Sequence, residues 1–147
     1  MKSKTTIRAA AIAGVASSAM LIMAPSAYAN FSGNIEAGRA GQESYTWSDE
    51  LYSQVTFHGC TGPGGGKNST NIQMWQVVTL QPDDSYDDKK FTACFNPGGV
   101  SNGEWTDLPS GKRTTYFKIH KIGGSIDPFT FQLWVDKYVV DTTKIDG

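Results

Sequence analysis

The stretch CTGPGGGKNST, residues 60–70, has the residue types of a phosphate-binding loop: glycines, a lysine and hydroxyl side chains. A P-loop requires the pattern G-x-x-x-x-G-K-[ST] between a strand and a helix. Here Gly66-Lys67 is followed by Asn68, and Thr61 occupies the position of the first glycine. The residues that follow alternate as they do in a strand, so the sequence predicts a flexible connection and not a nucleotide site.

Histidines and paired carboxylates, which serve acid–base catalysis and metal binding, are sparse in this chain. His58 and His120 are the only histidines, and both fall on the predicted outward side of their strands. A zinc site or a serine triad would need further partners beside them. Glu104 and Asp107 could form a glycosidase pair, but they lie in a turn-rich stretch. We therefore predict that the protein is not an enzyme and has no catalytic residue, no metal and no cofactor.

The acidic stretch DDSYDD could supply oxygen ligands to Ca²⁺, which takes several of them. Its aspartates fall within six residues of the chain and are Asp83, Asp84, Asp87 and Asp88. Their spacing matches no EF-hand loop, and the two lysines that follow directly would oppose a cation. We predict a solvated hairpin turn here, with calcium binding over Asp83–Asp88 as the open alternative.

The N-terminus has the three parts of a secretory signal peptide. Basic residues at its start precede an apolar run over residues 9–24, and Ala27-Tyr28-Ala29 provides a small-residue cleavage site. The run is shorter than the roughly 20 residues of a membrane span. Residues 1–29 are therefore predicted to be a cleaved signal, and the mature protein to be secreted and extracellular, without a membrane anchor.

Removal of the signal leaves 118 of the 147 residues, with ten basic and 14 acidic side chains. The resulting formal charge of −4 is opposite in sign to a nucleic-acid-binding surface, so nucleic acid is not an expected partner. The mature chain has two cysteines, Cys60 and Cys94. In an oxidising compartment an isolated pair most simply forms one structural disulfide.

Period-two alternation of apolar and polar residues runs through the mature chain, and no window has a helical period. The clearest strand is FTFQLWV, with inward positions at Phe129, Phe131, Leu133 and Val135. Turn sequences such as PGGG, NPGG, LPSG and DP separate the alternating segments. We predict an all-β protein, an antiparallel β-sandwich of about seven strands with one disulfide. A closed barrel is the alternative.

Residues 30–42, NFSGNIEAGRAGQ, contain three glycines and little periodicity. They predict a flexible N-terminal arm ahead of a single β-sandwich domain over residues 43–147. Such an arm can become ordered by adding a strand to the sheet edge of a partner. Phe31, Ile35 and Arg39 are its candidate contacts, and Arg39 could also enter a trypsin-like cleft.

Four aromatic residues lie on the side of their strands opposite to the aliphatic residues: Tyr52, Trp75, Tyr116 and Trp134. Exposed aromatic patches mark contact surfaces, so we predict a binding face made by these side chains. The alternative is packing beneath loops, or a β-bulge that reverses the alternation. The preferred function is a protein-interaction module. A carbohydrate-binding module or lectin, in which sugar rings stack on the aromatics, is the alternative.

Several features together resemble small secreted actinobacterial β-sandwich proteins: the length, the signal, the single disulfide, the GGS turn before FTFQLWV and the terminal YVVD strand. Among such proteins are the adaptor subunits of umbrella-shaped toxin particles, which link a lectin subunit to a larger toxin-bearing chain. The resemblance covers the mature chain in outline and transfers no functional residue. It implies an adaptor whose partner is an extracellular protein, with polysaccharide as the alternative ligand.

Overall fold

The computed structural model describes residues 30–143, and the predicted signal peptide over residues 1–29 lies outside the described residues. The described chain forms eight strands: β1 (Phe31–Gly38), β2 (Trp47–Asp49), β3 (Ser53–Thr61), β4 (Thr70–Gln76), β5 (Asp84–Phe91), β6 (Val100–Trp105), β7 (Arg113–Ile122) and β8 (Leu133–Asp141). A 3₁₀ turn, Ala93–Phe95, connects β5 to β6. Between residues 30 and 143 there is no helix with the length and apolar character needed to cross a membrane.

The strands form two antiparallel sheets, sheet A in the order β1-β8-β3-β6 and sheet B in the order β2-β7-β4-β5. Val55 and Phe57 of β3 are fully buried against sheet B, and the ring of Phe57 lies 5.8 Å from that of Phe117 in β7. Ile72 and Met74 of β4 complete this core from the opposite side. The prediction of an antiparallel β-sandwich is confirmed, and the closed barrel is wrong because the strands divide between two sheets.

The predicted disulfide is confirmed. Cys60 at the end of β3 is bonded to Cys94 in the 3₁₀ turn, with Cα atoms 5.1 Å apart. The bond fixes one end of the sandwich, where β3 leads into the glycine-rich connection and β7 leads into the loop before β8. We call this region the loop end.

The prediction of a flexible arm is wrong, because β1 is the edge strand of sheet A and pairs with β8. Ile35 is 8% exposed, and the ring of Phe31 lies 5.5 Å from that of Trp47. At Gly33 a Cβ would come within 2.6 Å of the Tyr138 ring, so glycine is what allows β1 to pack closely there. The apolar side chains of this segment are used inside the protein's own core.

The acidic stretch is also a strand and not a solvated turn, since most of it lies in β5, which pairs with β4. Its carboxylates contact separate partners: Arg113 at 3.4 Å from Asp84, Lys89 at 2.6 Å from Asp87, Asn71 at 2.8 Å from Asp88 and Tyr116 at 2.7 Å from Asp83. No group of three or more metal-ligating side chains occurs in the described part of the chain.

Candidate functional site

The four aromatic residues predicted to form one face lie in three different places. Tyr52 is 2% exposed and belongs to the core, so its predicted outward position is wrong. Leu51 directly before it has φ 64°, and this left-handed residue interrupts the extended alternation on which the prediction relied. Trp75 and Tyr116 lie on the outer side of sheet B, while Trp134 lies on the outer side of sheet A.

Trp75 and Tyr116 are cross-strand neighbours whose rings are nearly parallel, with centroids 6.4 Å apart and planes inclined by 15°. The ammonium nitrogen of Lys118 lies over the indole of Trp75, 4.4 Å from the ring centroid. Glu43 holds that ammonium through an ion pair of 3.2 Å. A cation over an indole face is a favourable contact, and it occupies the surface on which a ligand ring would stack.

Tyr116 faces outward as predicted, but its predicted exposure is wrong, because the side chain is only 6% exposed. Its hydroxyl donates a hydrogen bond to the Asp83 carboxylate at 2.7 Å. Burial raises the pKa of this phenol, and the hydrogen bond to Asp83 raises it further, so Tyr116 stays neutral. We call Trp75, Tyr116 and Lys118, with Glu43 and Asp83, the Trp75 site. The Lys118 ammonium and the Tyr116 hydroxyl have partners within the chain, whereas the buried indole nitrogen of Trp75 has none among the described residues.

The two histidines do not come together, since His58 lies in sheet A and His120 in sheet B. Nδ1 of His120 lies 3.1 Å from the Asp88 carboxylate, which also accepts a hydrogen bond from the Asn71 amide at 2.8 Å. Partial burial raises the pKa of Asp88, but the hydrogen bonds from Asn71 and His120 outweigh it and leave the pKa below its ordinary value. This contact links β7 to β5 across β4 on the outer side of sheet B.

A different surface lies at the loop end, where a groove runs between the glycine-rich connection and the loop before β8. It is lined by Arg39, Gly62, Pro63, Phe129, Thr130, Phe131, Gln132 and Trp134. We call it the loop-end groove. Arg39 and Trp134 are the two predicted contact residues that the fold brings together here. Phe31 and Ile35, the other predicted arm contacts, pack in the core instead.

Phe129 is 85% exposed at this groove, so the prediction that it points inward is wrong. The sequence DPFT forms a β-turn in which the Thr130 amide donates to the Asp127 carbonyl at 3.4 Å. Phe129 is therefore the third residue of a turn, and β8 begins only at Leu133. Phe131 is half-buried and packs against the edge of the core. Aspartate at the first turn position and proline at the second are the sequence signal for this turn.

The Asp127 carboxylate fixes the shape of this turn. One oxygen accepts the Phe129 amide at 2.8 Å, and the other accepts the Thr130 hydroxyl at 2.8 Å. The bond from the Phe129 amide, aided by that from Thr130, holds the pKa of Asp127 below its ordinary value. Arg39 adds a bond from Nη1 to the Pro128 carbonyl at 3.0 Å. The turn is thus held from two sides while the Phe129 ring projects into solvent.

The exposed side chains around the groove form an apolar patch with a cation beside it. Trp134 is 40% exposed and lines the groove together with Phe129, and Ile126, three residues before Phe129 in the chain, is 66% exposed. Contiguous exposed apolar groups of this kind mark binding surfaces, whereas single exposed apolar residues need no explanation. The loop-end groove is the candidate functional site.

Comparisons of the chain with family models, with curated proteins and with solved structures found no match.

Proposed function

We propose that this chain is a secreted, non-catalytic binding protein that engages a protein partner through its loop-end groove. The observation that carries the proposal is the exposed ring of Phe129 on a turn that Asp127 holds in place. A contact loop that is ordered before binding loses less entropy on association, and aromatic anchors contribute most to protein interfaces. An adaptor or subunit role in an exported assembly, such as a toxin particle, is the form of this function that the overall resemblance favours.

A carbohydrate-binding module is the second candidate, and the exposed indole of Trp134 is the observation that favours it. Trp75 does not extend that platform, because it lies on the other sheet and Lys118 covers its ring. One exposed indole beside a projecting phenyl ring and a guanidinium supports contact with protein better than stacking along a polysaccharide.

The test is capture of partners from the producer's own culture supernatant by the tagged mature protein, residues 30–147, followed by mass spectrometry and an affinity measurement on the purified partner. Phe129→Ala is compared with Leu80→Ala, which truncates a fully exposed apolar side chain in the β4–β5 connection at the opposite end of the sandwich. We expect a stoichiometric protein with wild type and Leu80→Ala, and about 30-fold weaker binding with Phe129→Ala.

Equal affinity of Phe129→Ala and wild type would overturn the assignment of the groove. Absence of any captured protein, together with binding to a polysaccharide that Trp134→Ala abolishes, would replace the proposal with the second candidate.

A further inference from the structure

The loop-end groove contains a positive side chain, Arg39, that forms no ion pair in the described part of the chain. Arg39 is exposed, and no ion pair joins it to a carboxylate among residues 30–143. The acidic side chain of the adjoining turn, Asp127, already accepts hydrogen bonds at both oxygens. One guanidinium nitrogen of Arg39 bonds to Pro128, and the planar group keeps further donors. An arginine with this geometry suits a carboxylate, which it can bind with two parallel hydrogen bonds.

A second cation lies next to the groove. A Cβ at Gly123 would lie 3.2 Å from both Lys67 Cβ and Phe131 Cδ2, so the glycine-rich connection that carries Lys67 packs beside the groove wall. Lys67 is exposed. The loop end therefore carries two exposed basic side chains, Arg39 in the groove and Lys67 beside it, against the single carboxylate of Asp127. The predicted mature form as a whole has a formal charge of −4. This local excess of positive charge favours an acidic ligand.

The groove also contains the side-chain amide of Gln132. The side chain of Gln132 forms no hydrogen bond with any group of the described chain. An amide both donates and accepts, which is what a peptide main chain requires of its partner. Phe129 and Trp134 supply apolar contacts on the same groove. The three kinds of group together match a segment with an apolar side chain, a carboxylate and free main-chain groups.

We propose that the loop-end groove binds an extended acidic peptide segment of the partner protein. Its apolar side chain packs on Phe129 and Trp134, its carboxylate pairs with Arg39, and its main chain hydrogen-bonds to Gln132. This proposal rests on the proposed function and names the chemistry of the partner that the groove selects.

The experiment selects a random phage-displayed peptide library on the immobilised mature protein and measures the enriched peptides by fluorescence anisotropy. We expect the enriched peptides to combine an aromatic or aliphatic residue with Asp or Glu. Peptides selected on Arg39→Gln should no longer be enriched in Asp or Glu but should still be enriched in apolar residues. For a given acidic peptide the substitution should weaken binding about fivefold at low salt, and less at high salt, since an exposed ion pair is screened.

Lys112→Gln is the matched control, because it removes a positive charge from an exposed lysine in the β6–β7 connection at the opposite end of the sandwich. It should leave both the selected sequences and their affinities unchanged. Gln132→Ala should weaken acidic and non-acidic peptides alike, because it removes a contact with the main chain.

Enrichment of basic peptides, or the same acidic preference in Arg39→Gln, would overturn the peptide proposal. So would selective binding of polygalacturonate that Arg39→Gln abolishes, or self-association that Phe129→Ala abolishes, because the occupant would then be an acidic glycan or a second copy of the chain. A captured partner that depends on Phe129 but not on Arg39 would leave the proposed function standing and refute only the acidic segment. No selected peptide and no captured partner would refute both.

Discussion

The Trp75 site and the loop-end groove use similar residues in opposite ways. Each combines aromatic rings with a cation, yet Lys118 lies on the Trp75 ring and is paired with Glu43, whereas Arg39 has no carboxylate partner within residues 30–143. In the first set the cation, the phenol and the indole face are engaged within the chain, and only the buried indole nitrogen of Trp75 has no partner among the described residues. The second leaves rings exposed and a charge unpaired. Residue type alone therefore does not distinguish a binding site from a structural cluster, whereas the engagement of the charged groups and ring faces within the described chain does.

The largest expected effect on stability comes from removal of the disulfide, which stabilises the loop end and not the Trp75 site. The Cys60→Ala/Cys94→Ala double variant opens a loop with a sequence separation of 34 residues. We expect the free energy of unfolding to fall by about 3–4 kcal/mol, because the unfolded chain gains the freedom that the bond removes. Urea unfolding measures this loss.

Hydrogen exchange then shows where the loss is greatest. We expect amide exchange in residues 62–69 to accelerate by more than the fall in the free energy of unfolding accounts for. Amides of β4 and β7 around the Trp75 site should show no such additional acceleration. Chemical reduction of the wild type serves as the control and should reproduce the effect. Uniform acceleration across both regions would contradict a local bracing role.

The second largest effect concerns Trp75. Trp75→Ala removes the stacking on Tyr116 and the cation contact with Lys118. Full truncation of a buried aromatic costs about 3–5 kcal/mol, and Trp75 is only partly buried, so we expect a loss of about 2 kcal/mol in the free energy of unfolding. Affinity for the partner should not change.

Trp75→Phe is the control for this variant, since it keeps a ring under Lys118 and should recover part of the stability. A Trp75→Ala protein with wild-type stability and weakened binding would reverse the comparison, because the Trp75 site would then be the binding site.

The fold was largely predictable, because alternation within a strand reports which side meets the core. Phe57 and Phe117 follow it and are buried. The strands that were missed, β1, β2, β5 and β6, are the four edge strands of the two sheets. The sequences of β1 and β5 are rich in glycine or aspartate, and such segments become strands only because β8 and β4 offer them hydrogen-bonding partners.

The candidate site was predictable only in part. Trp134 lies on the outer side of its strand, as the alternation predicted. The same alternation was continued back to Phe129 and placed that residue inside, although DPFT is a turn sequence and β8 begins only at Leu133. The cover over Trp75 was not predictable, because Lys118 belongs to a neighbouring strand. Arg39 was placed on a flexible arm, and its position at the groove depends on where β1 ends. Sites assembled from several loops depend on these tertiary placements.

A smaller effect on stability is expected at the Asp88 carboxylate when the pH is lowered. The pKa of Asp88 is lowered in the folded protein from its ordinary value of 3.8. As pH falls through this range, the unfolded chain takes up the proton first, so the stability contributed by Asp88 is present above about pH 4 and lost below it. The pair with His120 is partly exposed, so solvent screening keeps its contribution at about 0.5 kcal/mol.

Asp88→Asn should therefore be less stable than wild type at neutral pH and nearly equal to it at pH 2–3, as measured by urea unfolding across pH. Asp136→Asn, which alters an exposed aspartate of β8 with no ion pair within the described residues, is the control. A constant difference between Asp88→Asn and wild type at every pH would show that the carboxylate charge is not the cause.

The smallest effect on stability belongs to the residue with the largest expected effect on binding. Phe129 is 85% exposed, so Phe129→Ala removes little buried surface and should change the free energy of unfolding by less than about 0.5 kcal/mol. The Asp127 carboxylate bonds the Phe129 main chain and not its ring, so the turn should persist in the variant. If the exposed ring contributed to stability, its removal would lower the free energy of unfolding. Phe129→Ala should keep the unfolding free energy of wild type and lose affinity for the partner. Trp75→Ala should keep the affinity and lose stability. These two results together would show that the two regions have separate roles. If Phe129→Ala is clearly destabilised, the ring has a structural contact and the groove loses its main argument.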